Sequence, residues 1–239
     1  MTNLPFNYSI RRNARIQKVR LVVTLNKVEI VAPYLITETQ IKQFVHSKQV
    51  WVVNALNKLA TENANHQHNP IHFSDGAEIT IQNTTYPLKV QSSARKRVKI
   101  MFTDTLVAHV PEQLPPVAQH DAIKAAIIKW LKTYTKNTVV TLVNQHSVPY
   151  QLIPRTIVIK TLKSRWGSCG IHNDIHINWL LIIAPPEVLE YVVVHELCHI
   201  RIRNHSAHFW ALVALHLPHY QKQRQWLKQH GSQLMSNWL

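Results

Sequence analysis

Apolar and polar positions partly alternate from Arg12 to Leu25, and a second short apolar run follows. The chain therefore opens with two expected strands, 17–25 and 27–32, joined by a tight turn at Asn26-Lys27. At Thr37 the period lengthens. Ile41, Phe44, Val45, Trp51, Val52, Leu56 and Leu59 fall on one helical face, and Thr37 with Gln40 forms a capping box at its start. The pattern predicts one long helix that fades in the polar stretch Thr61–Asn69, ahead of Pro70. Strands are expected near 77–82, 85–91, 95–102 and 105–110, with Asp75-Gly76, Asn83-Thr84 and Asp104-Thr105 at the turns. Pro111, Pro115 and Pro116 close this β-rich half.

From Val117 to about His146 the period is helical again, through Ile123, Ile127, Trp130, Leu131, Tyr134, Val139 and Val143. A strand at Thr156–Lys160, a loop at Ser164–Gly170 and a strand near Asp174–Asn178 follow. Pro185-Pro186 marks a helix start, and Glu187 and Glu190 suit its positive end. That helix carries Tyr191-Val192-Val193-Val194, four residues that favour strands, but the length from Pro186 to Arg203 argues for a buried helix. Helices at 206–217 and from about 219 to 229, ending near Gly231, complete the chain. The expected class is α+β: a β-rich N-terminal part with one long helix, 1–115, then a helical part with a small sheet, 116–239.

Composition narrows the function. The chain has 239 residues with 27 Lys+Arg against 12 Asp+Glu, a net charge of +15. Residues 1–60 hold nine basic residues and two acids, and residues 121–239 hold thirteen and five. Such a balance favours anionic partners. Nucleic acid is possible but not favoured, because Phe6 and Tyr8 are too few for a stacking platform beside the basic run Arg11–Arg20. There are only 4 glycines, and neither G-x-G-x-x-G nor G-x-x-x-x-G-K-[ST] occurs, which removes the two commonest phosphate-cradling loops. Two cysteines make no disulfide framework, and the first residues lack the features of a secretory leader. No apolar run is long enough to span a membrane. A cytoplasmic protein without membrane partners is expected; nothing in the sequence bears on its oligomeric state.

The chemistry is concentrated in His195-Glu196-Leu197-Cys198-His199, an H-E-x-x-H run on an expected helix. Residues four apart share one helical face, so both imidazoles can reach one metal ion, and Glu196 stands where it can take a proton from metal-bound water. A catalytic zinc site has three protein ligands and an open position. His205 supplies the third ligand if the helix breaks near Arg203-Asn204, where Asn204 tolerates a left-handed backbone. His208 is the rival ligand and otherwise a substrate-facing residue. The spacing to His205 matches the metzincin motif, but Ile202 stands where that motif has glycine and no methionine follows closely. Two of the glycines fall in Ser164–Gly170, which marks a backbone needing positive φ or a close approach. Arg165 in that loop can bind an anionic substrate group.

The runs KSRWGSC (163–169), HINWLL (176–181), YVVVHELCH (191–199), NHS (204–206) and FW (209–210), with the opening RRNAR and KVRLVV, resemble the YgjP-like metallopeptidase family. Around the metal these are similar to SprT-like metalloprotease domains. The resemblance implies a minimal zincin-like catalytic domain over 116–239, with His195, His199 and His205 on zinc and Glu196 as general base. It makes Arg165 and Asn178 candidates for substrate contact. Hydrolysis of a peptide is the implied activity. The same machinery can act on a phosphoanhydride, so a metal-dependent nucleoside triphosphate pyrophosphohydrolase is the alternative, and a basic nucleic-acid-binding protein with a structural metal a third reading.

Overall fold

The computed structural model describes residues 4–24, 27–65, 71–236 and 238, and has a mixed α+β architecture. Asn26 of the expected first turn and the polar stretch from residue 66 lie outside the described residues. Two compact units divide at residues 69 and 70. Position 115–116, the expected boundary, falls inside the second unit, at the start of its longest helix.

In the first unit, β1 (Tyr8–Arg12), β2 (Arg20–Thr24) and β3 (Lys27–Ala32) form a sheet in the order β1-β3-β2. β3 takes the centre because it alone is apolar on both faces, with Val28, Ile30, Val31 and Ala32 buried. The N-terminal basic run is partly structural: Arg12 donates to the Pro33 carbonyl at 2.8 Å, and Arg11 and Lys27 pair with Glu29. The expected single helix is two, α1 (Glu38–Ser47) and α2 (Gln49–Asn65), parted at Lys48. The Thr37–Gln40 capping box forms as its residues dictate.

The second unit begins with β4 (Glu78–Ile81), β5 (Thr84–Ser93), β6 (Lys99–Phe102) and β7 (Leu106–Pro111), in the order β4-β5-β7-β6 with β5 and β7 parallel. Against this sheet lies α3 (Pro116–Ser147). Its buried residues Ile123, Ile127, Leu131, Thr135, Val139 and Val143 recur every four positions. Four residues advance a helix of 3.6 per turn by about 40° beyond a full circle. The stripe therefore winds, so α3 can pack on the β-sheet at one end and on another helix at the other. Thr135 tolerates burial because its hydroxyl donates to Leu131 O at 2.7 Å.

The second small sheet, β8 (Thr156–Lys160), β9 (Gly167–Cys169) and β10 (Asp174–Asn178), has the order β8-β10-β9. β8 and β10 occupy their expected positions; β9 lies inside what the sequence predicts as loop. A buried 3₁₀ turn, Trp179–Ile182, leads to α4 (Pro186–Arg201), whose residues Val188, Leu189, Tyr191–Val194, Leu197 and Cys198 are all buried. A helix covered nearly all round gains enough from burial to override the strand preference of its valines. α5 (Ala207–His216) and α6 (Tyr220–Ser236) follow. α6 continues past Gly231, which sits mid-helix because a Cβ there would stand 3.1 Å from the Trp166 indole. One hydrophobic core runs from Phe73 to Tyr220 and takes in every element of this unit. No helix among the described residues is long and apolar enough to cross a membrane.

The β8–β10 end of the small sheet is fixed by Asp174, which accepts from Arg155 Nε and from the Thr156 hydroxyl, both at 2.7 Å. The Arg155 guanidinium first, and Thr156 second, hold the Asp174 carboxyl down at about 2. A depressed acid stabilises the fold above its unfolded value and loses that contribution as pH falls through its folded value. The stability difference between the parent protein and Asp174→Asn should thus be full at pH 5 and shrink toward pH 2, as read from urea midpoints at each pH.

Candidate metal centre

The site is built where α4 stops. Ile202 leaves the helix in an extended conformation (φ −129°, ψ 106°), while its N–H still donates to Cys198 O at 3.0 Å. Asn204 then accepts from Ser206 N at 3.2 Å through its side chain, turning the chain into α5. The expected left-handed residue at Asn204 is absent: the positive-φ residues are elsewhere, and the extended Ile202 makes the break instead. This turn carries His205 back over the end of α4. The ligand atoms of His195, His199 and His205 all lie within 4.8 Å of one another, and His195 Nε2 and His205 Nε2 are 3.0 Å apart.

The three rings share one floor. Phe209, fully buried on α5, has its centroid 4.9 Å from His195, 4.5 Å from His199 and 4.9 Å from His205. Trp210 stacks on His205 at 5.6 Å and is itself stacked by Tyr220, with the Arg224 guanidinium 4.4 Å from its centroid. His199 Nδ1 lies 3.0 Å from the Ile202 carbonyl and donates to it, which leaves His199 Nε2 with a free lone pair. Burial, the chief cause, pushes His195 down to about 3, helped by the neighbouring His199 and His205; burial also lowers His199. Neutral imidazoles with converging ring nitrogens are what a transition-metal ion needs, and the buried His195 Nδ1 has no hydrogen-bond partner. The residues present fit a cation.

Glu196 is 5% exposed, and burial pushes its carboxyl up to about 8 against the opposing pull of Arg165. It packs against β9 so closely that a Cβ at Gly167 would stand 2.6 Å from Glu196 Oε1. The loop glycine is therefore a close-approach residue; Gly167 and Gly170 both have negative φ. The loop is held from three sides: Trp166 against Gly231, Gly167 against Glu196, and Asn178 from below.

The other expected site residues separate. Arg165 is exposed and near enough to Glu196 to act on its charge. Asn178 is fully buried, and its amide is consumed by Leu162 O at 2.8 Å, Arg165 O at 3.3 Å and Leu180 N at 3.3 Å. These bonds brace the Ser164–Gly170 loop from its buried side. His208 is exposed on the first turn of α5 and stands outside the three-histidine group. Sequence reasoning missed Arg203. Its guanidinium donates to Gly170 O at 2.7 Å, to Ile171 O at 3.4 Å and to the Asn173 side chain, and touches Cys169 Sγ at 3.3 Å. Arg203 thereby ties the turn that carries His205 to the β9–β10 turn, a pairing no local pattern encodes.

Comparison with known proteins agrees with this geometry. The chain matches the YgjP-like family, described as a YgjP-like, metallopeptidase domain, over residues 17–230, and belongs to it. No curated protein matches the chain.

If Arg203 sets the position of His205, Arg203→Ala should weaken metal binding by about 10- to 100-fold, the range for groups that orient ligands. Competition against a chelating dye would measure it, and the far-ultraviolet circular dichroism should stay unchanged because Arg203 is exposed.

Proposed function

We propose that this chain is a zinc-dependent hydrolase of the metallopeptidase kind, acting in the cytoplasm. The observation that carries the reading is the buried Glu196 carboxyl, one residue from His195 and pressed against the β9 backbone beside the three-imidazole cluster. A structural metal site has no use for such a group and closes with four ligands. His195, His199 and His205 would hold the zinc, which when bound lowers the pKa of a water and polarises the scissile carbonyl.

The remaining work belongs to the protein's own side chains. Glu196 takes the proton of the attacking water and returns it to the leaving amine. Its raised pKa suits the donating half of that cycle, while the Arg165 cation favours the ionised form needed for the first half. β9 is the end strand of its sheet, and it offers backbone N–H and C=O groups along which an extended peptide can lie. Arg165 and His208, both exposed, would meet the substrate's anionic or polar groups. The runner-up substrate is a nucleoside triphosphate, favoured by the net charge of +15 and by the Arg165 cation beside Glu196.

Four variants separate binding from chemistry. Glu196→Gln should keep one zinc per chain and lose hydrolysis by at least about 100-fold. Gly167→Ala should do the same by displacing the carboxyl. His205→Ala should drop bound zinc well below one per chain, and His208→Ala should not. Zinc-loaded protein assayed against casein and against nucleoside triphosphates decides the substrate: proteolysis supports the peptidase, and release of pyrophosphate or phosphate without proteolysis replaces it with the phosphoanhydride reading.

A further inference from the structure

A groove of about 800 Å³ lies away from the histidines, between α3 and β8. One wall is a single face of α3 carrying Ile128, Lys129, Lys132 and Lys136; the other is Ile157–Ile159 of β8. No acidic residue lines it.

β8 is the terminal strand of its sheet, and the ladder shows which of its backbone groups are free. Asn178 N donates to Trp166 O and Gly170 N donates to Asp174 O, both at 2.8 Å, so the even-numbered residues of β10 bond toward β9. Its odd-numbered residues, Ile175 and Ile177, then bond toward β8, where they are in register with Ile157 and Ile159. In a parallel pair the residue in register with a bonding residue points its own N–H and C=O the other way. The amides and carbonyls of Ile157 and Ile159 therefore face the open edge. Consistent with this, the Ile157 carbonyl accepts from Lys136 Nζ at 3.3 Å. Lysine on an edge strand blocks pairing with unselected chains. Here Lys129, Lys132 and Lys136 line the groove together with Ile128, Ile157 and Ile159.

We infer that this edge docks an extended peptide of alternating acidic and apolar residues, which pairs with Ile157 and Ile159 of β8 and sets its carboxylates on Lys129, Lys132 and Lys136. The incoming N–H takes the place of Lys136 Nζ on the Ile157 carbonyl and releases that ammonium to a carboxylate. Apolar side chains of the peptide rest on Ile128 and Ile157, and the charges select against basic or neutral strands. The inference is independent of the metal centre and of the substrate it takes.

The test uses the full chain and the acetylated, amidated heptapeptide Glu-Val-Glu-Ile-Glu-Val-Glu, followed by fluorescence anisotropy and by amide exchange. Binding should fall about tenfold or more for Lys129→Ala/Lys132→Ala/Lys136→Ala, as expected for removal of charges that face the ligand. It should hold within about twofold for a control of equal charge loss, Lys42→Ala/Lys89→Ala/Lys99→Ala. Methylating alternate backbone nitrogens of the peptide, which keeps every charge, should abolish binding, and the unmodified peptide should slow exchange at the Ile157 and Ile159 amides. Equal loss in both lysine variants, or equal binding of the methylated peptide, would reduce the effect to bulk charge and overturn the inference. Single-stranded DNA binding with the same lysine dependence, and no protection of those amides, would assign the groove to nucleic acid and overturn it as well.

Discussion

The hydrogen bond from the His199 ring to the Ile202 carbonyl joins the two things this site needs: a fixed ligand and a broken helix. Using His199 Nδ1 on that carbonyl leaves Nε2 free to coordinate a metal and fixes the orientation of the ring. The carbonyl is available only because Ile202 has left the helix, and leaving the helix there is what lets His205 return over the end of α4. Had α4 continued, His205 would stand about 15 Å further along the axis than His195, at 1.5 Å per residue. Arg203, next in the chain, locks the same turn to the β9–β10 turn through Gly170, Ile171 and Asn173. Ligand orientation, helix termination and strand placement are one connected set of contacts.

Desolvation supplies the second condition. α4 is buried along nearly its whole length, and Phe209 lies under all three imidazoles, so the rings sit against apolar matter on one side and open outward on the other. Burial keeps His195 and His199 neutral and pushes Glu196 toward its protonated form. Imidazoles kept neutral offer lone pairs to a metal, and a buried carboxyl with a raised pKa gains from a cation beside it. Their coexistence within two turns of one helix fits a site shaped around a cation that compensates for them.

Much of this was legible in the residues. Spacing alone put His195 and His199 on one face, the capping box at Thr37 marked a true helix start, and β8, β10 and α3 lie where their periods place them. What escaped depends on partners far apart in sequence. β9 pairs only because β10 presents an edge to it, so three residues with no strand pattern of their own become a strand. Gly231 reads as a helix end, yet its missing side chain makes room for Trp166 from a loop some 65 residues earlier. Asn178 reads as an accessible polar residue in a family-like run, while burial turns its amide into a brace for that loop. Arg203 looks like one more of the chain's 27 lysines and arginines, because its acceptors at Gly170, Ile171 and Asn173 belong to a turn formed elsewhere.

The central claim is that three imidazoles, and no thiol, hold one metal ion at the end of α4. X-ray absorption of the zinc-loaded protein tests this most directly. The account predicts a first shell of nitrogen and oxygen only, with three imidazoles at about 2.0–2.1 Å. A sulfur scatterer at about 2.3 Å would bring Cys169 or Cys198 into the shell and contradict it.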